Sequence, residues 1–95
     1  MIETQSTIGQ WGRETLGPIT DYEVACKRIA VECLEAADAA RTGQPIGPEL
    51  ADIAIIVMNI AEQAGIDLQT EIDAKMAINR ARTWVKDGRG NGQHA

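Results

Sequence analysis

Phenylalanine is missing from this 95-residue chain, and two tryptophans and one tyrosine are its whole aromatic content. A core must therefore be built from isoleucine, leucine, valine, methionine and alanine, and the alanine-rich middle favours close helix packing. Period-two runs of β-branched residues are also lacking, apart from Ile53–Val57, which lies inside the strongest helical pattern. That argues against a sheet. There are two cysteines, Cys26 and Cys33. Seven residues apart on one helix they stand about 10.5 Å apart along the axis, too far to bridge. Both are expected as small buried thiols, which suits a reducing cytosol. Basic residues are outnumbered: net charge is −5, pI about 4.7, and no basic stripe appears. Binding to a nucleic-acid backbone is excluded on that ground. A polyphosphate is not, where a divalent metal carries the charge. The longest apolar run, Ile53–Met58, is far too short to span a bilayer. No basic flank leads into an apolar segment at the N-terminus, so no signal peptide and no membrane partner are expected.

What is present is organised around one stretch. Pro48 stands at a first helical position and Gly65 just past an end, the usual start and stop marks. The residues between them predict a helix of about 17 residues, roughly 25 Å long. After Asp52 it is almost wholly apolar, on all sides: Ile53, Ala54, Ile55, Ile56, Val57, Met58, Ile60, Ala61 and Ala64. Such a helix must be enclosed on most sides. Yet its first turn holds Glu49 and Asp52, three apart and on one face.

The rest of the chain supplies the surroundings. Residues 1–5 read as frayed. Ser6 or Thr7 can cap a short helix to Leu16, stopped by Gly17–Pro18 and weakened by Gly9 and Gly12 at roughly 1 kcal/mol each. Trp11 is its anchor, either packed on the bundle or lining a pocket for a flat ligand. Thr20-Asp21-Tyr22-Glu23 reads as a capping box for a helix to about Arg41. On that helix Glu32 and Glu35 stand side by side, with Asp38 following, and Arg28 four residues before Glu32. An ordinary reading of the row is a solvated face. A short turn from Gly43 to Gly47 reverses the chain, so the two helices run antiparallel and the Glu32/Glu35 and Glu49/Asp52 pairs come close. Asp67 caps a last helix, to about Trp84, with Lys75, Asn79 and Arg82 in one polar stripe. That stripe too is ordinary surface if taken alone. Residues 1–84 form one domain, with a limited core for its size. Residues 85–95, with Gly88, Gly90 and Gly92, predict a flexible tail. His94 lies there and is expected to have no role.

Two acid pairs on adjacent antiparallel helices resemble the inward-facing carboxylates of metal-binding bundles. Neither pair contains histidine. Oxygen-only ligation favours hard ions, Mg²⁺ or Mn²⁺ over Zn²⁺ or iron. Without metal, four crowded acids repel one another and resist ionisation. With it, they suit a site that activates water and neutralises phosphate oxygens. Lys75, Asn79 and Arg82 would then be donors to the phosphates and sugar.

The full set is more specific than any part: Glu32-Cys-Leu-Glu35, thirteen residues, Glu49-Leu-Ala-Asp52, then Lys75-Met-Ala-Ile-Asn79-Arg-Ala-Arg82. Over about Asp21 to Trp84 the chain resembles the MazG-type, all-α nucleoside triphosphate pyrophosphohydrolases. Ile8-Gly-Gln-Trp11 through Leu16-Gly17, with Asn79-Arg-Ala-Arg82-Thr-Trp84, resembles a bacteriophage branch described as dATP/dGTP pyrophosphohydrolases. The resemblance implies an all-α bundle, three main helices plus a short N-terminal one, completed as a homodimer or homotetramer. It implies Mg²⁺-dependent hydrolysis of a nucleoside triphosphate, here dGTP or dATP, to the monophosphate and pyrophosphate. It makes Glu32, Glu35, Glu49 and Asp52 metal ligands, and Lys75, Asn79 and Arg82 substrate contacts. Either Glu35 or Glu32 would orient or deprotonate the attacking water. Trp11 is a candidate to hold the base and Asn59 to read it. The rival reading is a non-catalytic helical module that keeps the fold and binds a nucleotide or protein. The complete set of four acids favours the enzyme.

Overall fold

The computed structural model describes residues 2–95. In chain order it contains α1 (Gln5–Leu16), α2 (Tyr22–Arg41), α3 (Gly47–Gln63) and α4 (Leu68–Ala81), then a short antiparallel pair, β1 (Trp84–Lys86) and β2 (Gly92–His94). This is the expected helical bundle. α3 is its axis: both α2 and α1 pack along it, whereas α4 leans on it only lightly.

Local chemistry explains most of the boundaries. Pro48 opens α3, where its missing N–H costs nothing. α2 and α3 end alike, in a Schellman arrangement with a glycine at positive φ. After α3, Gly65 takes φ 72° and donates to Glu62 O, and Ile66 N donates back to Ala61 O at 2.9 Å. After α2, Gly43 and Gln44 do the same to Ala40 O and Ala39 O. Three starts and stops differ from the sequence expectation. α1 begins earlier, capped by Thr4, whose side chain accepts from Thr7 N while Thr7 Oγ1 accepts from Thr4 N. α2 is capped by Asp21 instead of a Thr20 box, with Asp21 Oδ1 accepting from Val24 N at 3.2 Å. α4 stops at Ala81, so Arg82 is its C-cap.

Gly9 and Gly12, counted as weaknesses of α1 on sequence grounds, are buried at its contact with α3. A methyl group on Gly9 would overlap the side-chain stem of Glu62, and one on Gly12 the amide of Asn59. The missing side chains let the α1 backbone approach α3. Gln5 ties the same helix to the α3–α4 turn: its amide donates to Ile66 O at 2.6 Å and accepts from Leu68 N at 3.0 Å.

Two expectations about burial are corrected. The enclosure expected around α3 is not supplied by its own chain. Ala39 and Ala61 are the buried apolar side chains among the described residues, while Leu50 (52%) and Ile55 (38%) stay exposed. Cys26 and Cys33 are free, as expected, but exposed instead of buried, because α1 and α3 leave much of α2 uncovered. The segment from Val85, expected to carry no regular structure, enters a hairpin with Trp84 paired to His94. Asp87 closes its turn, accepting from Arg89 N at 2.7 Å and Asn91 N at 3.0 Å. Those two N–H groups hold the Asp87 carboxyl below its usual pKa.

The glycine contact can be tested. Alanine at position 9 gains about 1 kcal/mol of helix propensity but overpacks a site that cannot open without moving a helix, at about 1–3 kcal/mol. Gly9→Ala should therefore lower the melting midpoint, whereas alanine at the exposed position Ser6 should not. A midpoint that rises in Gly9→Ala would contradict the close packing.

Candidate active site

The α2–α3 hairpin delivers the acids as its antiparallel sense requires. Glu32 from α2 and Glu49 and Asp52 from α3 each offer a carboxylate oxygen, and these oxygens lie within 4.8 Å of one another. Glu32 is buried (7% exposed), Glu49 half-buried and Asp52 exposed. Arg28, one turn before Glu32, donates to its Oε1 at 2.9 Å. Glu35 is exposed and faces a second groove, shared with Asp38, Glu49 and the α2–α3 turn. Glu49 therefore belongs both to the acid cluster and to this groove.

Electrostatics mark this cluster as incomplete. Burial pushes the Glu32 pKa up, and the neighbouring Glu35 carboxyl pushes it further. Arg28 opposes the shift and Asp52 adds to it. Glu49 Oε2 is buried with no hydrogen-bond partner among the described residues. A buried carboxylate oxygen without a donor is costly, and a cation supplies what it lacks. The donors are all oxygens, which fits a hard divalent ion.

Beside the acids lies an open cavity of about 380 Å³. Its polar end holds Glu32, Asp52 and Arg28. Its other walls are Trp11 and Leu16 of α1 and Ile55, Ile56, Asn59 and Ile60 of α3. Trp11 is 51% exposed, so it does not act as a sealed core residue in the single chain. Asn59 lies at this cavity as well. Arg28 is the site residue that sequence reasoning noticed only as a partner of Glu32; its signal was the four-residue spacing. Leu16 entered only through the branch resemblance, and the α3 isoleucines carried no signal beyond apolarity.

Lys75, Asn79 and Arg82 do not join the cavity within one chain. They lie on α4 or at its end, and Arg82 is occupied elsewhere. Its Nη1 is 2.7 Å from His94 Nε2. The His94 ring meets Trp84 edge-on, with centroids 4.6 Å apart, and Trp84 Nε1 donates to Asn79 O at 2.7 Å. His94, expected to have no role, thus packs against an expected substrate contact.

A small helical bundle with clustered carboxylates from two antiparallel helices and an adjoining apolar cavity has the architecture of a metal-binding helical bundle. No protein-family profile matches the chain. Individual proteins do. The dATP/dGTP diphosphohydrolase of Salmonella phage PMBT28 is 48% identical over 95 residues, 99% of this chain but 31% of that protein. The chain thus spans about a third of that relative's length. The dATP/dGTP diphosphohydrolase of cyanophage S-2L is 32% identical over 94 residues, 99% of this chain and 87% of that protein. The solved structure of the cyanophage S-2L MazG-like pyrophosphohydrolase, bound to dGDP and three catalytic Mn²⁺ ions per active site, superposes with a TM-score of 0.74. It is 30% identical, and the match covers 96% of this chain and 92% of that one. The chain belongs to the MazG-like pyrophosphohydrolase family, in its phage dATP/dGTP diphosphohydrolase branch. No helix among the described residues is long and apolar enough to cross a membrane.

The incomplete cluster leads to a binding prediction. At neutral pH, Mn²⁺ should raise the melting midpoint, by an amount corresponding to about 2.7 kcal/mol at a hundredfold excess over Kd. Glu49→Gln should abolish most of that rise. Ion and proton compete for the same carboxylates, so the rise should shrink as pH falls. For Glu32 itself, the folded chain holds the proton more tightly than the unfolded one. Its contribution to stability is complete below the ordinary value of 4.5 and is lost as pH rises through the raised folded value. A Mn²⁺ effect equal in wild type and Glu49→Gln would place the ion elsewhere.

Proposed function

We propose that the protein hydrolyses a deoxynucleoside triphosphate, dGTP or dATP, to the monophosphate and pyrophosphate, with Mg²⁺ as its ion and Mn²⁺ able to substitute. The observation that carries this reading is the orphaned Glu49 oxygen in the Glu32–Glu49–Asp52 cluster, beside a cavity walled by Trp11. The dGDP and Mn²⁺ bound by the cyanophage protein support a nucleotide and a divalent ion as its ligands. We place its work in the cytoplasm, where the unpaired Cys26 and Cys33 suit a reducing compartment.

Glu32, Glu35, Glu49 and Asp52 would hold the ions, which supply a more acidic water and neutralise phosphate oxygens. Glu35 or Glu32 orients that water and takes its proton. Water adds its oxygen to the α-phosphorus, the bond to the β-phosphate bridging oxygen breaks, and pyrophosphate leaves. Trp11 stacks on the base, with the α3 isoleucines behind it. Lys75, Asn79 and Arg82 serve the phosphates and sugar from another subunit's α4, since their own chain keeps them away from the cavity. The exposed apolar residues of α2 and α3 give the reason for a dimer or tetramer: a partner would enclose them as in an obligate interface.

Four measurements check this. Pyrophosphate release from dGTP and dATP should require Mg²⁺ or Mn²⁺, and its absence under all conditions would leave the non-catalytic module. Glu35→Gln and Asp52→Asn should each lose far more than tenfold in turnover, tenfold being about 1.4 kcal/mol of barrier. Lys75→Ala should weaken every deoxynucleotide by a similar factor, because a charge-assisted phosphate contact ignores the base. Sedimentation should find a dimer or tetramer at micromolar concentration; a stable, active monomer would refute the assembly.

A further inference from the structure

Side-chain amides do not by themselves reveal which end is oxygen, but one backbone donor decides it here. Ile19, in the link between α1 and α2, donates its N–H to the side chain of Gln63 at 2.7 Å. A backbone N–H can only donate, so the Gln63 atom facing it is Oε1. The other end of the Gln63 amide is then Nε2, a donor, and it lies 2.9 Å from Asn59. The Asn59 atom that meets it must be Oδ1. Asn59 is therefore left with Nδ2, and among the described residues that nitrogen has no acceptor. Gly12 packs against the same amide, where any side chain would overlap it, so the group keeps its place and only its two ends can exchange.

Asn59 lies at the cavity beside Trp11, and it is the neutral polar residue there, away from Arg28 and the two acids. It stands seven residues beyond Asp52 on α3, about 10.5 Å along the axis at 1.5 Å per residue. That separation suits a site with metal-bound phosphate at one end and a base at the other. An asparagine that singles out adenine pairs with N6 and N7 together, using its oxygen and its nitrogen. With Oδ1 turned to Gln63, that pairing is closed. A lone donor finds N7, an acceptor that adenine and guanine share on the same edge and pyrimidines lack.

We propose that Gln63, anchored by the Ile19 N–H, is a positioning residue that fixes Asn59 as a hydrogen-bond donor to purine N7, so the site takes both purines through one contact. This rests on the pyrophosphohydrolase reading above. Neither Gln63 nor Ile19 touches the reacting atoms.

The test compares dGTP and dATP with their 7-deaza analogues, in which carbon replaces N7, on the full chain with Mn²⁺. For the wild type, kcat/KM should fall about tenfold or more for both analogues, mostly through KM. Gln63→Glu keeps an acceptor for Ile19 but offers Asn59 no donor. The amide then turns, its oxygen faces the cavity, and the penalty for losing N7 should disappear. Asn59→Asp, which keeps the acceptor for Gln63 and removes the donor, should lose the penalty as well. Equal rates for 7-deaza and parent nucleotides in the wild type overturn the inference while leaving the hydrolase standing, and this comparison needs no variant to fold. A full penalty retained in Gln63→Glu overturns the role of Gln63. Failure to hydrolyse any deoxynucleotide removes the hydrolase reading and this inference with it.

Discussion

Folding this chain forces carboxylates together. Apolar packing of α2 on α3 sets the two helices side by side, and three carboxylate oxygens end within 4.8 Å of one another. Repulsion among them opposes the packing that brings them there. Arg28 offsets part of it, while burial first, and then the neighbouring Glu35 carboxyl, raise the Glu32 pKa. A divalent ion held there, as proposed above, would remove the conflict and at the same time supply the chemistry. The bundle's stability and its chemistry therefore meet at one point.

The cavity depends on a second constraint, the distance between α1 and α3. With no phenylalanine and two tryptophans, the protein has little bulk to spend on filling space. It brings backbones close instead. Gly9 and Gly12 allow α1 to settle on α3, and that approach sets Trp11 at the cavity and wedges Asn59 in place. A poor helix former thus fixes a binding wall. The helix-weakening effect of the two glycines is offset by contacts that only a glycine permits, together with the ties from Gln5 to the α3–α4 turn.

What one chain leaves open is as informative as what it closes. α4 leans lightly on α3 and carries Lys75 and Asn79 away from the acids, while Arg82 rests against His94. Broad apolar surfaces of α2 and α3 stay uncovered. Both facts have the same consequence. The proposed site, with two acid-bearing helices from one subunit and the polar α4 stripe from another, would account for a chain that carries every element of the motif and yet does not gather them.

Much of this was legible in the sequence, where the governing physics is local. Pro48, Gly43 and Gly65 set the ends of α2 and α3, because ring closure and positive φ act on one residue at a time. Those ends fixed the hairpin, and the hairpin placed Glu32 opposite Glu49 and Asp52. Sequence order also carried the motif that resembles the MazG-type enzymes. Only the tertiary structure decided the rest. Nothing near Gly9 or Gly12 announces Glu62 and Asn59 as their neighbours. Nothing near Ile19 announces Gln63, forty-four residues on. The exposure of Cys26 and Cys33 and the pairing of Trp84 with His94 were likewise out of reach. A cap or a turn is chosen by the dihedral preferences of the residues that form it. A close approach or a hydrogen bond between distant segments is chosen by packing, which exists only once the helices have met.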